Sequence, residues 1–102
     1  MKPVALTLLV RFKSRLSLDE VMKVVEDRAP EFRALQGLRQ KYYLQDTETG
    51  DYAGMYLWES KEGLAAYRDS ELRQSIAKAY QTEGEPRVEV YRVLMPLREE
   101  AD

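Results

Sequence analysis

Leu38-Arg39-Gln40-Lys41-Tyr42-Tyr43-Leu44-Gln45-Asp46, Thr47-Glu48-Thr49-Gly50 and Asp51-Tyr52-Ala53-Gly54-Met55-Tyr56-Leu57-Trp58-Glu59 are the three consecutive pieces on which the architecture turns. The outer two are rich in residues that suit a pleated surface, and the Asp, Thr and Gly between them favour a tight reversal, so the stretch is a predicted β-hairpin. Gly50 is the natural site for the positive φ that closes such a loop, and Ser60, directly after Trp58-Glu59, is placed to cap a following helix. From Gly37 to Tyr67 the chain holds its only tryptophan and five of its seven tyrosines.

Upstream of the hairpin, Val4-Ala5-Leu6-Thr7-Leu8-Leu9-Val10-Arg11-Phe12 is apolar at nearly every position, the pattern of a central strand covered on both faces. Ser17-Leu18-Asp19-Glu20 is a capping box, and Leu18, Val21, Met22 and Val25 follow at helical spacing. Pro30 lacks an amide hydrogen, so this helix is expected to end or kink near Arg28-Ala29, with Phe32 and Leu35 packing as a short continuation. Downstream, residues 61–68 and 71–80 carry Leu64, Tyr67, Leu72, Ile76 and Ala79 on one face, a helix with a break near Ser70. Residues 81–85 read as a polar loop and Arg87 to Met95 as the last strand, closed by Pro96 and a charged tail. The order strand, helix, strand, strand, helix, strand predicts a single ferredoxin-like α+β domain over residues 1–102: four antiparallel strands with both helices on one face.

Composition excludes several classes of function. With 16 basic and 18 acidic residues interspersed along 102, the net charge of −2 offers no footprint for nucleic acid and no polybasic membrane patch. Without cysteine there is no disulfide, thiol nucleophile or thiolate metal site, and no secretory leader is visible, so a cytoplasmic protein without a bound metal or other cofactor is expected. No phosphate loop, nucleophile elbow or metal-ligand spacing is present. Asp46, Glu48 and Asp51 in the turn read as solvated loop charge.

Counting alternate positions assigns Val4, Leu6, Leu8, Val10, Tyr42, Leu44, Tyr56, Trp58, Val88 and Val90 to the helix side of the sheet. The other face mixes Ala5, Leu9, Tyr43, Met55, Leu57, Tyr91, Val93 and Met95 with Arg11, Arg39, Lys41 and Glu89, a patch too apolar to stay wet. A homodimer formed through these sheet faces is expected.

Tyr56-Leu57-Trp58-Glu59-Ser60-Lys61-Glu62-Gly63-Leu64-Ala65-Ala66-Tyr67, with Gly37-Leu38 and the hairpin, resembles the antibiotic-biosynthesis-monooxygenase-like proteins of the dimeric α+β barrel superfamily. The resemblance covers most of the chain. It implies a ferredoxin-like dimer with the tryptophan over a pocket between sheet and helices. For catalytic members it implies oxidation of a phenolic, quinol or polyketide-like substrate by molecular oxygen, without metal or flavin. Many relatives carry a histidine where this chain has Tyr67 and another near Leu72; this chain has no histidine and no asparagine. Imidazole is the usual proton acceptor near neutral pH and the usual axial ligand of haem, and both roles are empty, which argues against the haem degradation some relatives perform.

The candidate catalytic residues are therefore Trp58 and Tyr67, and the candidate substrate pocket is Tyr42, Tyr56 and Leu64. Trp58 equally suits a core and pocket-wall aromatic, Tyr67 an amphipathic packing residue, and Tyr42 and Tyr56 core filling. Arg11 and Arg92 fit surface or dimer-edge charges as well as anchors for an anion. Two functions follow: a cofactor-independent monooxygenase of a small aromatic, or a non-catalytic dimeric barrel that binds or senses a small hydrophobic metabolite.

Overall fold

The computed structural model describes residues 3–99. Strand β1 (Leu6–Ser14) is followed by helix α1 (Leu18–Arg33), the hairpin β2 (Leu38–Gln45) and β3 (Tyr52–Trp58), three short helices α2 (Lys61–Arg68), α3 (Glu71–Gln74) and α4 (Ile76–Ala79), and β4 (Thr82–Arg92). The four strands form one antiparallel sheet in the order β2-β3-β1-β4. This is the expected ferredoxin-like arrangement. The turn closes as expected, with Gly50 at φ 79° and its amide donating to the Asp46 carbonyl at 2.9 Å.

The Ser17 capping box forms in full, Glu20 N donating to Ser17 Oγ at 3.2 Å and Ser17 N to Glu20 Oε1 at 2.9 Å. The helix does not end near Arg28-Ala29: α1 runs through Pro30 to Arg33, while Phe32 and Leu35 pack into the core as the expected continuation. A proline in a helix interior costs about 3 kcal/mol, and here one turn on either side of it is held by burial of Val25 and Phe32 against the sheet. The break near Ser70 does occur, because Ser70 leaves α2 and caps α3 through its Oγ, which accepts from Arg73 N at 3.2 Å.

At the other end two boundaries move. Residues 82–85, expected as loop, belong to β4, where the register slips opposite Arg11 to Lys13 and Gly84 takes φ 78°. The strand ends at Arg92 rather than Met95, although Val93 N still donates to the Ala5 carbonyl at 2.9 Å. A bulged strand reads as loop in sequence because its polar and apolar residues no longer alternate.

The central correction lies in β2. Leu38 pairs with Trp58, but Gln40 pairs with Leu57 and Lys41 with Tyr56, so Arg39 is an extra residue and the alternation inverts beyond it. Lys41 and Tyr43 therefore lie on the helix face beside Tyr56 and Gly54, while Tyr42 and Leu44 share the opposite face with Met55 and Ala53. The even-position rule holds for β1 and β3, where Leu8, Val10, Tyr56 and Trp58 are each 1% exposed. On β4 the register puts Val88 and Val90 on the helix face as expected, yet both remain exposed at the uncovered edge.

The turn charges are less free than solvated loop charge. Asp46 Oδ1 accepts from the amides of Glu48 and Thr49 at 2.8 and 3.0 Å, and Arg11 Nη2 donates to Asp46 and Asp51 carboxylates at 2.9 and 3.1 Å. Arg11 thus pins the hairpin turn to β1.

Candidate functional site

Trp58, Tyr56, Tyr67 and Leu64 meet in the core, each 1% exposed. Tyr56 and Trp58, two apart on β3, share the helix face, and their rings lie within 4° of parallel. Leu64 and Tyr67 are one helical turn apart on α2, whose start is set by Ser60 Oγ accepting from Gly63 N at 3.1 Å. Gly63 lets α2 come this close: a Cβ there would meet the Gln36 carbonyl at 3.2 Å and the Trp58 ring at 3.3 Å. The Tyr56 and Tyr67 hydroxyls hydrogen-bond to each other at 2.8 Å. Burial pushes the Tyr67 phenol up to about 12 and raises that of Tyr56 as well, with Tyr67 adding to it, so both are neutral at ordinary pH. Trp58 Nε1 is buried and has no hydrogen-bond partner.

Next to this cluster a cavity of about 100 Å³ opens between α1 and the sheet. Val10, Tyr56 and Gly54 form its floor, Val21 and Val25 its α1 wall, Tyr52 and Tyr80 one end, and the half-exposed Leu18 and Met22 mark its way to solvent. Among the described residues Lys41 is the one charged residue lining it. The Lys41 ammonium sits 3.5 Å from the ring centroid of Phe32, 4.3 Å from Tyr43 and 4.4 Å from Tyr56. Burial, then the nearby Arg28, draws its pKa from the usual 10.5 down to about 7, against the pull of the ring faces toward the charged form.

Of the five residues singled out from sequence, only Tyr56 lines this cavity. Trp58, Tyr67 and Leu64 are brought together with it but sit behind it, sealed in the core. Tyr42 is a correction: the bulge at Arg39 turns it to the opposite face, 51% exposed. Lys41, Tyr43, Tyr52 and Tyr80 were missed as lining residues. Gly54, a glycine in mid-strand, was the available signal, since such a position often marks a close approach of side chains. A Cβ on Gly54 would fall 3.0 Å from the Tyr56 ring and 3.2 Å from Lys41 Cε.

The βαββαβ order and the antiparallel sheet β2-β3-β1-β4 with an aromatic cavity on its helix face define a ferredoxin-like α+β protein. The chain belongs to the family described as "Putative mono-oxygenase ydhR", whose model matches residues 7–99. Its structure is similar to that of SnoaB from Streptomyces nogalater, a cofactor-independent oxygenase, with 15% identity and a TM-score of 0.74 over 94% of this chain and 99% of that one. An antibiotic biosynthesis monooxygenase, so described provisionally, from Caulobacter crescentus matches at 18% identity and TM-score 0.72 over 91% and 92% of the two chains. A dimeric ferredoxin-like protein of unknown function from Thermobifida fusca matches at 13% and 0.69 over 91% and 94%. At these identities the structural likeness establishes the fold, and the expected resemblance to a monooxygenase family is borne out by the family model over residues 7–99. No curated protein matches the chain. No helix among the described residues is long and apolar enough to cross a membrane, and no group of three or more His, Cys, Asp or Glu side chains there could hold a metal ion.

Proposed function

We propose that this protein is a cofactor-independent monooxygenase of a small phenolic, quinol or polyketide-like substrate that binds in the cavity beneath α1. The observation that carries the reading is the shared residue Tyr56, which lines an apolar cavity on one side and closes the aromatic cluster of Trp58 and Tyr67 on the other. The cavity is of the same order as the ~150 Å³ void that holds benzene in an engineered core, so it takes one planar ring with the rest of the molecule leading out past Leu18 and Met22. In a substrate whose ring CH₂ is conjugated to a carbonyl, so that its enol tautomer is an aromatic hydroxyl, the electrons come from the substrate itself. The CH₂ becomes C=O: one oxygen atom of O₂ is bonded to the ring carbon, and the other leaves as water with the two hydrogens that carbon loses. The protein's part is to position and dehydrate the substrate anion. Tyr56 touches the substrate; Tyr67 orients the Tyr56 hydroxyl, Leu64 and Trp58 support the wall, and the unspent Nε1–H of Trp58 is a donor for any group that reaches it.

The same reading includes a homodimer in the cytoplasm, with the sheet faces away from the helices packed together. Tyr42, Leu44 and Tyr91 are 51%, 39% and 53% exposed there, and a monomer would leave them wet.

Oxygen uptake by metal-free protein against hydroquinones, naphthols and anthrone-like phenols tests the activity. Protein-dependent uptake that falls at least tenfold in Tyr67→Phe and in Trp58→Phe is expected. Uptake unchanged in both would remove this cluster from the chemistry. No uptake, with thermal stabilisation by one of the same compounds, would favour a non-catalytic metabolite-binding barrel, the reading that the absence of histidine supports.

A further inference from the structure

We propose that Lys41 is the proton acceptor of this cavity: its amine takes the proton of an acidic aromatic hydroxyl and, as the ammonium, holds the resulting anion beside Tyr56. The proposal rests on the reading of the cavity as an aromatic-ligand site and names the ligand class: phenols and enols acidic enough to give up a proton near neutral pH. In the step the ligand O–H bond breaks, an N–H bond forms on Nζ, and the electron pair stays on oxygen. That leaves the electron-rich anion from which oxygen chemistry can start.

Three observations converge on it. Lys41 lines both the cavity under α1 and a second, wider recess bordered by Phe32, Arg33 and Arg39, and neither lining contains an Asp or Glu. Among the described residues the Lys41 ammonium has no carboxylate within salt-bridge distance; three ring faces surround it instead. A cation lining an apolar cavity without a counter-ion is costly unless it is often neutral or a ligand supplies the anion. The backbone is shaped around this side chain, by the bulge at Arg39 that turns Lys41 to the helix face and by Gly54, where any Cβ would crowd Lys41 Cε. Bulges recur beside active sites because they re-aim a side chain.

The groups facing Lys41 agree with a base. Arg28 on α1 approaches the same Phe32 ring at 5.8 Å, and its charge favours the neutral amine and then the ligand's anion. Tyr43 and Tyr56, on β2 and β3, have raised pKa values and remain neutral beside it. The pKa near 7 fits the same role, which the missing histidines leave vacant.

The test uses 4-nitrophenol, whose anion is yellow, and its methyl ether, which has no proton to give. Wild type at pH 6 is expected to bind the phenol as its anion, with the yellow band growing on addition of protein, and to prefer it to the ether by about tenfold or more. In Lys41→Met the band disappears and the preference falls to near one, while the ether still binds. Lys41→Arg keeps a cation that still holds the anion but cannot accept a proton, so binding of the anion at pH 8 is expected to take up a proton from the buffer in wild type and none in Lys41→Arg. On unmutated protein, reductively methylated with labelled formaldehyde, one dimethyl-lysine resonance is expected to titrate well below the others and to move upward when 4-nitrophenol is added. All lysines titrating together, or the yellow band persisting unchanged in Lys41→Met, overturns the proposal. Anion binding without oxygen uptake would leave Lys41 in place and overturn only the oxygenase reading; uptake with the same pH profile in Lys41→Met would do the reverse.

Discussion

Tyr56 and Tyr67 satisfy one another across 2.8 Å in the core, so their energetics are coupled. Removing one hydroxyl leaves its partner buried without a bond, a loss of about 1–3 kcal/mol, whereas removing both can be nearly neutral. Denaturant unfolding of Tyr56→Phe, Tyr67→Phe and the double variant is expected to show the double less destabilised than the sum of the singles. Lys41 acts on stability in the opposite sense to a satisfied pair. Its amine titrates near 10.5 when unfolded and near 7 when folded, so the unfolded chain holds the extra proton between those values and folding is strengthened as pH rises through that window. Lys41→Met is expected to raise Tm at pH 7 and below, with the gain shrinking as pH approaches 10. A Tm difference independent of pH would mean that the folded amine is not perturbed. The burial of Tyr56, Trp58, Leu64 and Tyr67 was legible in sequence, since spacing alone puts them on inner faces. The place of Lys41 was not, because a single extra residue at Arg39 reverses which residues of β2 face inward.

At the scale of elements, α2 and the hairpin are each held by one local device. Gly63→Ala would strengthen an exposed helix by about 1 kcal/mol. Here the added methyl meets the Gln36 carbonyl and the packed Trp58 ring at 3.2 and 3.3 Å, and neither can give way, so a lower Tm is expected. In the turn, Asp46 accepts two backbone amides and the Arg11 guanidinium; the Thr49 and Glu48 amides and then Arg11 lower its pKa to about 2. Its carboxylate is weaker as an acid once unfolded, so its contribution is present above about pH 4 and is lost as pH falls through about 2. Asp46→Asn keeps the turn acceptor and loses the ion pair, and Asp46→Ala loses both. Thermal melts at pH 7 should rank wild type above Asn above Ala, with both variants less sensitive to acid. Helix starts at Ser17 and Ser60 were readable because a capping side chain is a local property, and so was the break near Ser70. The continuation of α1 through Pro30 was not, since the burial that holds it is contributed by other elements.

For the whole molecule, one sheet face is covered by helices and the other is open. Sedimentation is expected to give twice the 11.9 kDa chain mass at micromolar concentration, and Tyr42→Glu, which puts a charge on the open face, to shift it toward a monomer. A mass near 11.9 kDa for the wild type would sink the dimer. The residues that exposed this surface differ from those expected: Tyr42 and Leu44 lie on it, and Lys41 and Tyr43 do not.

The sequence by itself determined the order of elements, the helix caps, the hairpin turn and the inner faces of β1 and β3, because each depends on residues a few positions apart. Tertiary structure alone decided the orientation of β2, the course of α1 beyond Pro30, and the cavity where Lys41 meets three aromatic rings. Those depend on strand register and on the burial of one element by another, and a slip of one residue changes every contact that follows.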